Sequence, residues 1–299
     1  MIPILSLSPL PDTLRSRLAE RYALHVGVAG APLADVRALV GGGSMMVDAA
    51  LLERLPRLDI VAVHGVGHDG IDRAALAARG IALAITSDVL TADVADLAIG
   101  LWLAVERRIV ANDRTVRGVG WSVPLARRAS GRRIGIYGLG AIGRAIAARA
   151  APFAAELFYT ARSAKPDVPW RFVAGLDALA DASDVLFIAA AAGPGTVGVV
   201  DAGVLAALGP AGVLVNVARG SLIDQPALIA ALAAGGIAGA GLDVFADEPD
   251  VPAGLQTDRV VLSPHQGSAT IEARAAMAAL VVANLDAHFA GAAPPGLVR

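Results

Sequence analysis

The first third of the chain alternates short runs of β-branched and other apolar residues with longer segments in which apolar residues recur at helical spacing. At the start, residues 2–7 are predicted as a strand, residues 12–22 as a helix and residues 24–28 as a second strand. Gly, Pro or Asp marks each transition, as expected for turns between elements. The pattern continues with helices over 51–55 and 73–79 and strands over 59–63 and 82–85.

The next segment, residues 91–117, is predicted as one long helix that could bridge two domains. Thr91 is placed as its N-cap, and Asp93 and Asp96 lie in or near the first turn, where the helix dipole favours anions. Residues 118–131 contain Trp121 and Pro124 and are predicted as an irregular connection.

A second series of strands follows, separated mostly by helical patterns. Such alternation predicts a mostly parallel sheet with helices on both faces, in which ligands bind beyond the carboxyl ends of the strands. The closing helix, residues 271–289, is expected to pack back on the first domain, which makes that domain discontinuous. We therefore predict an α/β protein of two doubly wound domains, residues 1–94 with 268–299 and residues 95–267. The predicted strands of the second series are 133–137, 156–160, 185–189, 213–217, 239–244 and 259–263.

Composition narrows the function classes. Hydrophobic residues make up 56% of the 299 residues and the formal charge is −2, so no net field attracts nucleic acid or an anionic membrane, and neither is an expected partner. The absence of cysteine excludes disulfides, thiolate catalysis and Cys-ligated zinc, and no metal is expected. The first ten residues lack a basic segment and do not resemble a signal peptide. No apolar run reaches the ~20 residues of a membrane span, so we expect a soluble, cytoplasmic protein.

A glycine-rich motif indicates the cofactor. The run Gly138-Leu139-Gly140-Ala141-Ile142-Gly143 follows a predicted strand and opens a predicted helix, which is the setting that a dinucleotide fingerprint requires. The first glycine allows the tight turn, the second admits the pyrophosphate, and the third permits close packing of helix and strand. The alternative is a simple tight turn. The context favours nucleotide binding.

The end of the next strand bears on which dinucleotide is bound. An NAD-preferring site places Asp or Glu there to hold the ribose 2′-hydroxyl, but this strand ends in Ala161-Arg162-Ser163. A guanidinium and a hydroxyl can instead bind a 2′-phosphate. We predict NADP(H) as the preferred cofactor with NAD(H) possible, the alternative being that Arg162 is a solvated loop residue.

Three polar residues follow three predicted strands of the second domain, at the edge that also carries the glycine motif. They are Arg219, Glu248 and His265. A guanidinium can bind a carboxylate and polarise a carbonyl, and a protonated imidazole can donate a proton, its charged form being favoured by a neighbouring carboxylate. Each residue alone could be structural, and Glu248 could simply belong to a turn before Pro249. Together beside a nicotinamide they suit the reduction of a 2-oxo acid.

With these motifs in their order, nearly the whole chain resembles the D-isomer-specific 2-hydroxyacid dehydrogenases, in particular the glyoxylate/hydroxypyruvate reductase branch. The runs that carry the resemblance are His64 to Asp72, Ser87 to Asp96, the glycine motif, Asn216 to Gly220, Gly241 to Phe245 with Glu248-Pro249, and Pro264 to Thr270.

The resemblance implies a Rossmann-type cofactor domain inserted into a flavodoxin-like substrate domain. Arg219, Glu248 and His265 occupy the family's catalytic positions, and family members are generally dimers built around the helix that begins here at Thr91. The backbone amides of Val66 and Gly67 match a loop that holds the substrate carboxylate, and His64 and Gly65 complete the predicted substrate-binding run. Asp243 and Ala218 match residues that orient the nicotinamide carboxamide. The full set of predicted cofactor-binding residues is Gly138, Leu139, Gly140, Ala141, Ile142, Gly143, Ala161, Arg162, Ser163, Val94, Ala218, Asp243 and Gly267.

Departures from the family pattern bear on substrate choice. His64 stands where Asn or an apolar residue is usual, and Gln266 where an apolar or small residue often follows the catalytic His. Met45 and Met46 could line the substrate cleft or fill the core. Trp121 could lie near a partner's active site or anchor the connecting segment.

The sequence thus predicts an NADPH-dependent reductase of small 2-oxo acids, with glyoxylate and hydroxypyruvate as the leading substrates. Two alternatives stay open. One is an NAD(H)-dependent D-2-hydroxyacid dehydrogenase of another substrate. The other is a non-enzymatic, corepressor-like protein that senses a dinucleotide.

Overall fold

The computed structural model describes residues 1–298. The chain divides into two compact units. The first contains residues 1–90 and the segment from Ser268 onward, and the second contains residues 91–267. The chain therefore leaves the first unit once, builds the whole of the second, and returns.

The first unit is built on a five-stranded sheet in which every pairing is parallel, in the order β2-β1-β3-β4-β5. This is the strand order of flavodoxin-like folds. Its strands are β1 (Pro3–Ser6), β2 (Ala23–Val26), β3 (Ala38–Gly42), β4 (Ile60–His64) and β5 (Ala82–Ala84). Its helices are α1 (Asp12–Ala19), α2 (Ala49–Glu53), α3 (Arg73–Ala78) and the closing helix α10 (Ile271–Phe289).

Alternate residues of the central strands supply the two faces of this sheet. Ile60 and Ala62 of β4 pack on the side of α1 and α10, and Val61 and Val63 pack on the side of α2 and α3. Such continuous apolar strands are expected where both faces of a parallel sheet are covered. Asp48 and Asp72 cap α2 and α3 through their side chains, and Thr270 caps α10.

Strand β3 was not predicted, although it lies in the middle of the sheet. Its apolar residues run directly into Gly41 and Gly42, and glycine weakens the usual strand signal. The strand is explained by its neighbours, because Leu39 pairs with Leu5 on one side and Val61 on the other.

The second unit is a seven-stranded parallel sheet in the order β12-β11-β10-β9-β6-β7-β8. Read from its first strand, this is the Rossmann order with one added edge strand. The predicted fold class is thus confirmed. Its strands are β6 (Arg132–Tyr137), β7 (Ala154–Thr160), β8 (Arg171–Phe172), β9 (Val185–Ile188), β10 (Val213–Asn216), β11 (Gly239–Leu242) and β12 (Val260–Leu262). Its helices are α4 (Thr91–Glu106), α5 (Ile109–Arg117), α6 (Ala141–Ala150), α7 (Leu176–Asp181), α8 (Ala202–Leu208) and α9 (Gln225–Ala234).

The strand order reverses between β6 and β9, which are adjacent in the sheet but not in sequence. Ligands of open α/β sheets bind in the crevice at such a switch point. The glycine motif follows β6 directly, so the local sequence and the sheet topology indicate the same edge.

The prediction of one helix over residues 91–117 is wrong. Thr91 is the first residue of α4, and the helix ends at Glu106 because Arg108 adopts a left-handed conformation (φ 52°) before α5 begins. Glu106 is buried and its carboxylate lies within 3.5 Å of the Arg127 and Arg132 side chains. Glu106 thus contacts residues beyond the helix at the point where α4 stops. The sequence does not reveal this break, because no Gly or Pro lies there.

No helix among residues 1–298 combines the length and apolar character needed to cross a bilayer.

Candidate functional site

Three neighbouring strands deliver the predicted catalytic residues to one edge of the second sheet. β10 pairs with β11, and β11 with β12. Arg219, Glu248 and His265 lie on the loops that follow these three strands in turn. Because the strands are parallel and adjacent, their carboxyl ends meet at one edge.

Two of the three are in direct contact. The imidazole Nδ1 of His265 lies 2.7 Å from Oε2 of Glu248. The other carboxylate oxygen of Glu248 accepts a hydrogen bond from the backbone N–H of Phe245, at 3.0 Å. An ionised carboxylate is only an acceptor, so the proton in the first contact belongs to Nδ1. This leaves Nε2 as the ring nitrogen directed away from the carboxylate, and the His265 side chain is 47% exposed.

The loop that carries Arg219 packs against the loop that carries Glu248. A Cβ added at Gly220 would lie 1.9 Å from the carbonyl carbon of Phe245, so only glycine fits between the two backbones. The Arg219 guanidinium donates from Nη1 to the carbonyl oxygen of Ala218 at 2.7 Å. The Arg219 loop therefore packs against Phe245, whose N–H group donates to Glu248.

Asn216, at the end of β10, shapes the Arg219 loop and was predicted only as part of a motif. Its side chain is fully buried; Nδ2 donates to the carbonyl oxygen of Arg219 at 2.9 Å, and Oδ1 accepts from the N–H of Ala218 at 3.0 Å. Such side-chain hydrogen bonds to nearby backbone are typical of Asn at turns. An Asn three residues before the Arg was the available signal.

The three glycines of the motif form a tight turn between β6 and α6. Gly138 has φ 96°, and an added Cβ there would lie 2.5 Å from Cα of Ala190, two residues after β9. At Gly143 an added Cβ would lie 1.9 Å from the carbonyl oxygen of Gly138, so this glycine lets helix α6 approach β6. At Gly140, the N-cap of α6, the space within 4 Å is open and no side chain caps the helix.

Free N–H groups at a helix N-terminus with open space before them are suited to a pyrophosphate. The residues present therefore fit a dinucleotide. Of the remaining motif residues, Leu139 is buried, while Ala141 and Ile142 form the first turn of α6.

The loop after β7 carries the residues predicted to bind the ribose. Arg162 and Ser163 are exposed, Ala161 is half-buried, and no carboxylate ends the strand. Sequence analysis did not identify the contacts that order this loop. The hydroxyl of Tyr159 accepts from the N–H of Lys165 at 2.6 Å, and Arg144 of α6 forms an ion pair with Asp167 at 2.8 Å.

Val94, Asp243 and Gly267 are brought together near the histidine loop. An added Cβ at Gly267 would lie 3.1 Å from Oδ2 of Asp243 and 3.3 Å from Cγ2 of Val94. Asp243 is 1% exposed, and its carboxylate accepts hydrogen bonds from the loop 263–267.

The first unit holds the predicted substrate loop immediately after β4. The carbonyl oxygen of Gly65 accepts hydrogen bonds from Thr86, and Gly43 approaches Gly67 so closely that a Cβ at Gly43 would lie 3.2 Å from the Gly67 carbonyl oxygen. His68, which was not predicted to be functional, contacts the carbonyl oxygen of Val66 through Nδ1 at 3.0 Å. These contacts define the backbone of a short loop.

His64 ends β4 and is 5% exposed. Burial lowers the pKa of its imidazole from 6.5 to about 4, and the positive charge of Arg274 adds to the shift. Within residues 1–298 its Nε2 has no hydrogen-bond partner. His64 is therefore a neutral, buried imidazole beneath the loop.

The residues for which the sequence offered two roles differ in their exposed fraction. Met45 is buried in the core of the first unit, whereas Met46 is 69% exposed. Trp121 is 88% exposed. The side chain of Gln266 donates to the carbonyl oxygen of Pro264 at 3.2 Å. Within the described residues no cluster of three or more His, Cys, Asp or Glu side chains could hold a metal ion.

Known proteins are similar to this chain over most of its length. Residues 99–267 match the family model described as D-isomer specific 2-hydroxyacid dehydrogenase, NAD binding domain. The chain is 43% identical over 302 aligned residues to glyoxylate/hydroxypyruvate reductase A of Arabidopsis thaliana, covering 97% of this chain and 96% of that protein. It is 42% identical over 302 residues to hydroxyphenylpyruvate reductase of Plectranthus scutellarioides, with the same coverage.

A solved structure is also similar over nearly the whole length. It is an NADPH-dependent glyoxylate/hydroxypyruvate reductase from Sinorhizobium meliloti in complex with NADP and malonate, with a TM-score of 0.95 and 38% identity, covering 99% of this chain and 96% of that chain. The family match spans more than half of the residues, and these relatives are aligned almost end to end. The chain belongs to the D-isomer-specific 2-hydroxyacid dehydrogenases, and its residues 99–267 form the family's NAD-binding domain.

Proposed function

We propose that this protein reduces small 2-oxo acids, with glyoxylate and hydroxypyruvate as the leading substrates and NADPH as the preferred cofactor. The contact between His265 and Glu248, on the same sheet edge as the glycine motif, is the observation that carries the proposal. The relatives named for reduction of glyoxylate, hydroxypyruvate and hydroxyphenylpyruvate support the substrate class.

The proposal assigns each residue of the site a role in the reaction. The bound nicotinamide supplies the hydride. Arg219 binds the substrate carboxylate and polarises the carbonyl, because a guanidinium presents a planar fork of donors to oxygen. His265 delivers a proton from Nε2 to the carbonyl oxygen, and Glu248 orients the ring through its contact with Nδ1. The amides of Val66 and Gly67 provide further donors for the carboxylate.

Two features support NADP(H) over NAD(H). Arg162 and Ser163 follow β7 where an NAD-preferring site places a carboxylate. The similar enzyme from Sinorhizobium meliloti is NADPH-dependent and contains NADP. In this proposal residues 95–267 bind the cofactor, residues 1–94 and 268–299 bind the substrate, and NAD(H) remains a usable but weaker cofactor.

The predicted homodimer is also a proposal, and an exposed apolar run supports it. Val119, Trp121 and Leu125 are 96%, 88% and 98% exposed, and several apolar residues of the preceding helix α5 are also exposed. Contiguous exposed apolar surface usually marks an interface. We assign this surface, residues 109–125, to a second copy of the chain.

The dimer is tested by light scattering during gel filtration of the Val119→Asp/Leu125→Asp variant. A monomeric variant with a native circular dichroism spectrum, beside a dimeric parent, is expected. A parent that elutes as a monomer would refute the dimer. The cytoplasmic location stays a prediction, which cell fractionation tests.

The activity itself is tested with a substrate panel. Glyoxylate, hydroxypyruvate and 4-hydroxyphenylpyruvate are offered with NADPH and with NADH, and oxidation of the nicotinamide is followed. We expect turnover of at least the two smaller acids, with higher kcat/KM for NADPH. NADPH binding without turnover of any of the three would instead favour the dinucleotide-sensing alternative.

A further inference from the structure

His265 has an unusual backbone conformation. Its φ of 55° lies in the left-handed region, which residues with a side chain rarely occupy. Such a conformation persists only where surrounding contacts hold it, and these positions cluster at functional sites. The backbone N–H of His265 donates to the carbonyl oxygens of Asp243 and Ser263, at 2.8 and 3.1 Å.

The Asp243 carboxylate accepts hydrogen bonds from residues on both sides of His265. Oδ1 accepts from the hydroxyl of Ser263 at 2.6 Å and from the N–H of Gln266 at 2.7 Å, and Oδ2 accepts from the N–H of Gly267 at 2.8 Å. The carboxylate is buried, so an unfilled acceptor position there is costly. One carboxylate therefore connects the residues on both sides of His265.

Of these three donors, only Ser263 Oγ belongs to a side chain, while the other two are backbone N–H groups. Ser263 directly follows β12, and its own N–H donates to the carbonyl oxygen of Leu242 at 2.9 Å. Its hydroxyl thus fixes the orientation of the carboxylate relative to the sheet. Without it, Oδ1 would keep one of its two donors, and the carboxylate could rotate away from the Gln266 and Gly267 amides.

We propose that Ser263 is a positioning residue for the reaction. It acts through Asp243 to hold the left-handed backbone of His265 and so directs Nδ1 onto Glu248. This inference rests on the proposed function for its catalytic consequence, but its structural part concerns the imidazole alone and can be measured without turnover.

The test compares four variants of the full-length protein. Ser263→Ala removes the hydroxyl, and Ser263→Thr retains it. Ser183→Ala is the matched control, because Ser183 is 2% exposed and its hydroxyl donates at 2.6 Å to the carbonyl oxygen of Leu179, away from the histidine loop. Ser263→Cys keeps a weaker donor and serves if Ser263→Ala folds poorly.

The first measurement is the tautomer of His265, read from long-range 1H–15N correlations of the imidazoles in alkaline buffer without cofactor. The His265 signals are assigned by their loss in His265→Asn. In the parent protein, Glu248 should keep the proton on Nδ1, since a carboxylate that accepts from one ring nitrogen selects the tautomer. In Ser263→Ala the Nε2–H tautomer should gain population, in Ser263→Cys it should gain less, and in Ser263→Thr and Ser183→Ala the parent spectrum should persist.

The second measurement is steady-state reduction of glyoxylate. Ser263→Ala should lower kcat by about tenfold, with thermal stability changing no more than in Ser183→Ala, and Ser263→Thr should keep the parental kcat. In a Glu248→Gln background the same substitution should cost less than about twofold, because its effect passes through the His265–Glu248 contact.

An unchanged His265 spectrum in Ser263→Ala would overturn the inference, as would an equal change in Ser183→Ala or a failure of Ser263→Thr to keep the parent spectrum. If the parent protein turns over no 2-oxo acid, the proposed function fails. The spectra still decide whether Ser263 positions the imidazole.

Discussion

Nδ1 of His265 lies 2.7 Å from the Glu248 carboxylate although 17 residues separate them in the chain. The contact arises because β11 and β12 are adjacent parallel strands, so the loops that follow them share one edge of the sheet. A carboxylate on one ring nitrogen leaves the other available for proton transfer.

Arg219 and His265 should differ in their kinetic signatures. Arg219→Ala should raise KM for glyoxylate and lower kcat, reducing kcat/KM by at least ~100-fold, because the guanidinium is assigned to both binding and carbonyl polarisation. His265→Ala should lower kcat by about 100-fold or more with a smaller change in KM, as expected for a lost general acid. Near-parental kcat in His265→Ala would show that the proton donor is another group.

Two glycines of the cofactor motif should respond differently to the same added methyl group. In Gly143→Ala the Cβ would lie 1.9 Å from the Gly138 carbonyl oxygen, so we expect destabilisation of about 2 to 3 kcal/mol in urea unfolding. In Gly140→Ala the Cβ enters open space, so stability should change by less than about 1 kcal/mol while NADPH affinity falls. Affinity is measured by fluorescence titration. Unimpaired NADPH binding in Gly140→Ala would argue against a pyrophosphate at this turn.

Arg162 should affect the two cofactors unequally. Arg162→Ala should raise KM for NADPH by about tenfold or more and leave KM for NADH nearly unchanged, since only NADPH carries the 2′-phosphate. Arg17→Ala, an exposed arginine of α1 in the first unit, is the control. The NADP preference would be wrong if the parent enzyme had the lower KM for NADH.

His64 should make the stability of the protein pH-dependent. Its pKa is lowered from 6.5 to about 4 by burial, so the unfolded chain binds this proton more readily than the folded one between these pH values. The free energy of unfolding should therefore be unaffected by His64 above pH ~6.5. It should fall as the pH approaches 4, by about 3 kcal/mol for a shift of this size.

The measurement is urea unfolding of the parent, His64→Asn and the control His25→Asn at a series of pH values. His64→Asn should remove this part of the acid destabilisation, and His25→Asn on β2 should retain it. Parallel pH profiles for the parent and His64→Asn would contradict a buried neutral His64.

The sequence was most informative where the signal is local. The helix Ile271–Phe289 has the predicted bounds because its apolar repeat and Thr270 cap need no distant partner. The glycine motif was identifiable because two of its requirements are local: Gly138 has a positive φ, and Gly143 lies against the Gly138 carbonyl oxygen. Strand β3 was missed because its pairing with β1 and β4, rather than its own residues, makes it a strand.

The break at Arg108 had the same origin. Glu106 forms ion pairs with Arg127 and Arg132, which lie beyond the segment that has helical spacing. Asn216 was predicted only as a member of a motif, and Ser263 only as the last residue of a predicted strand. The hydrogen bonds of a side-chain amide or hydroxyl leave no periodic pattern in the sequence.

The sequence by itself determined the class of fold, the cofactor cradle and the identity of the polar groups at the strand ends, since periodicity and turn chemistry act over a few residues. Tertiary structure decided which of those groups touch. The hydrogen bond from Ser263 to Asp243 joins residues 20 positions apart and exists because parallel strands bring their carboxyl ends to one edge.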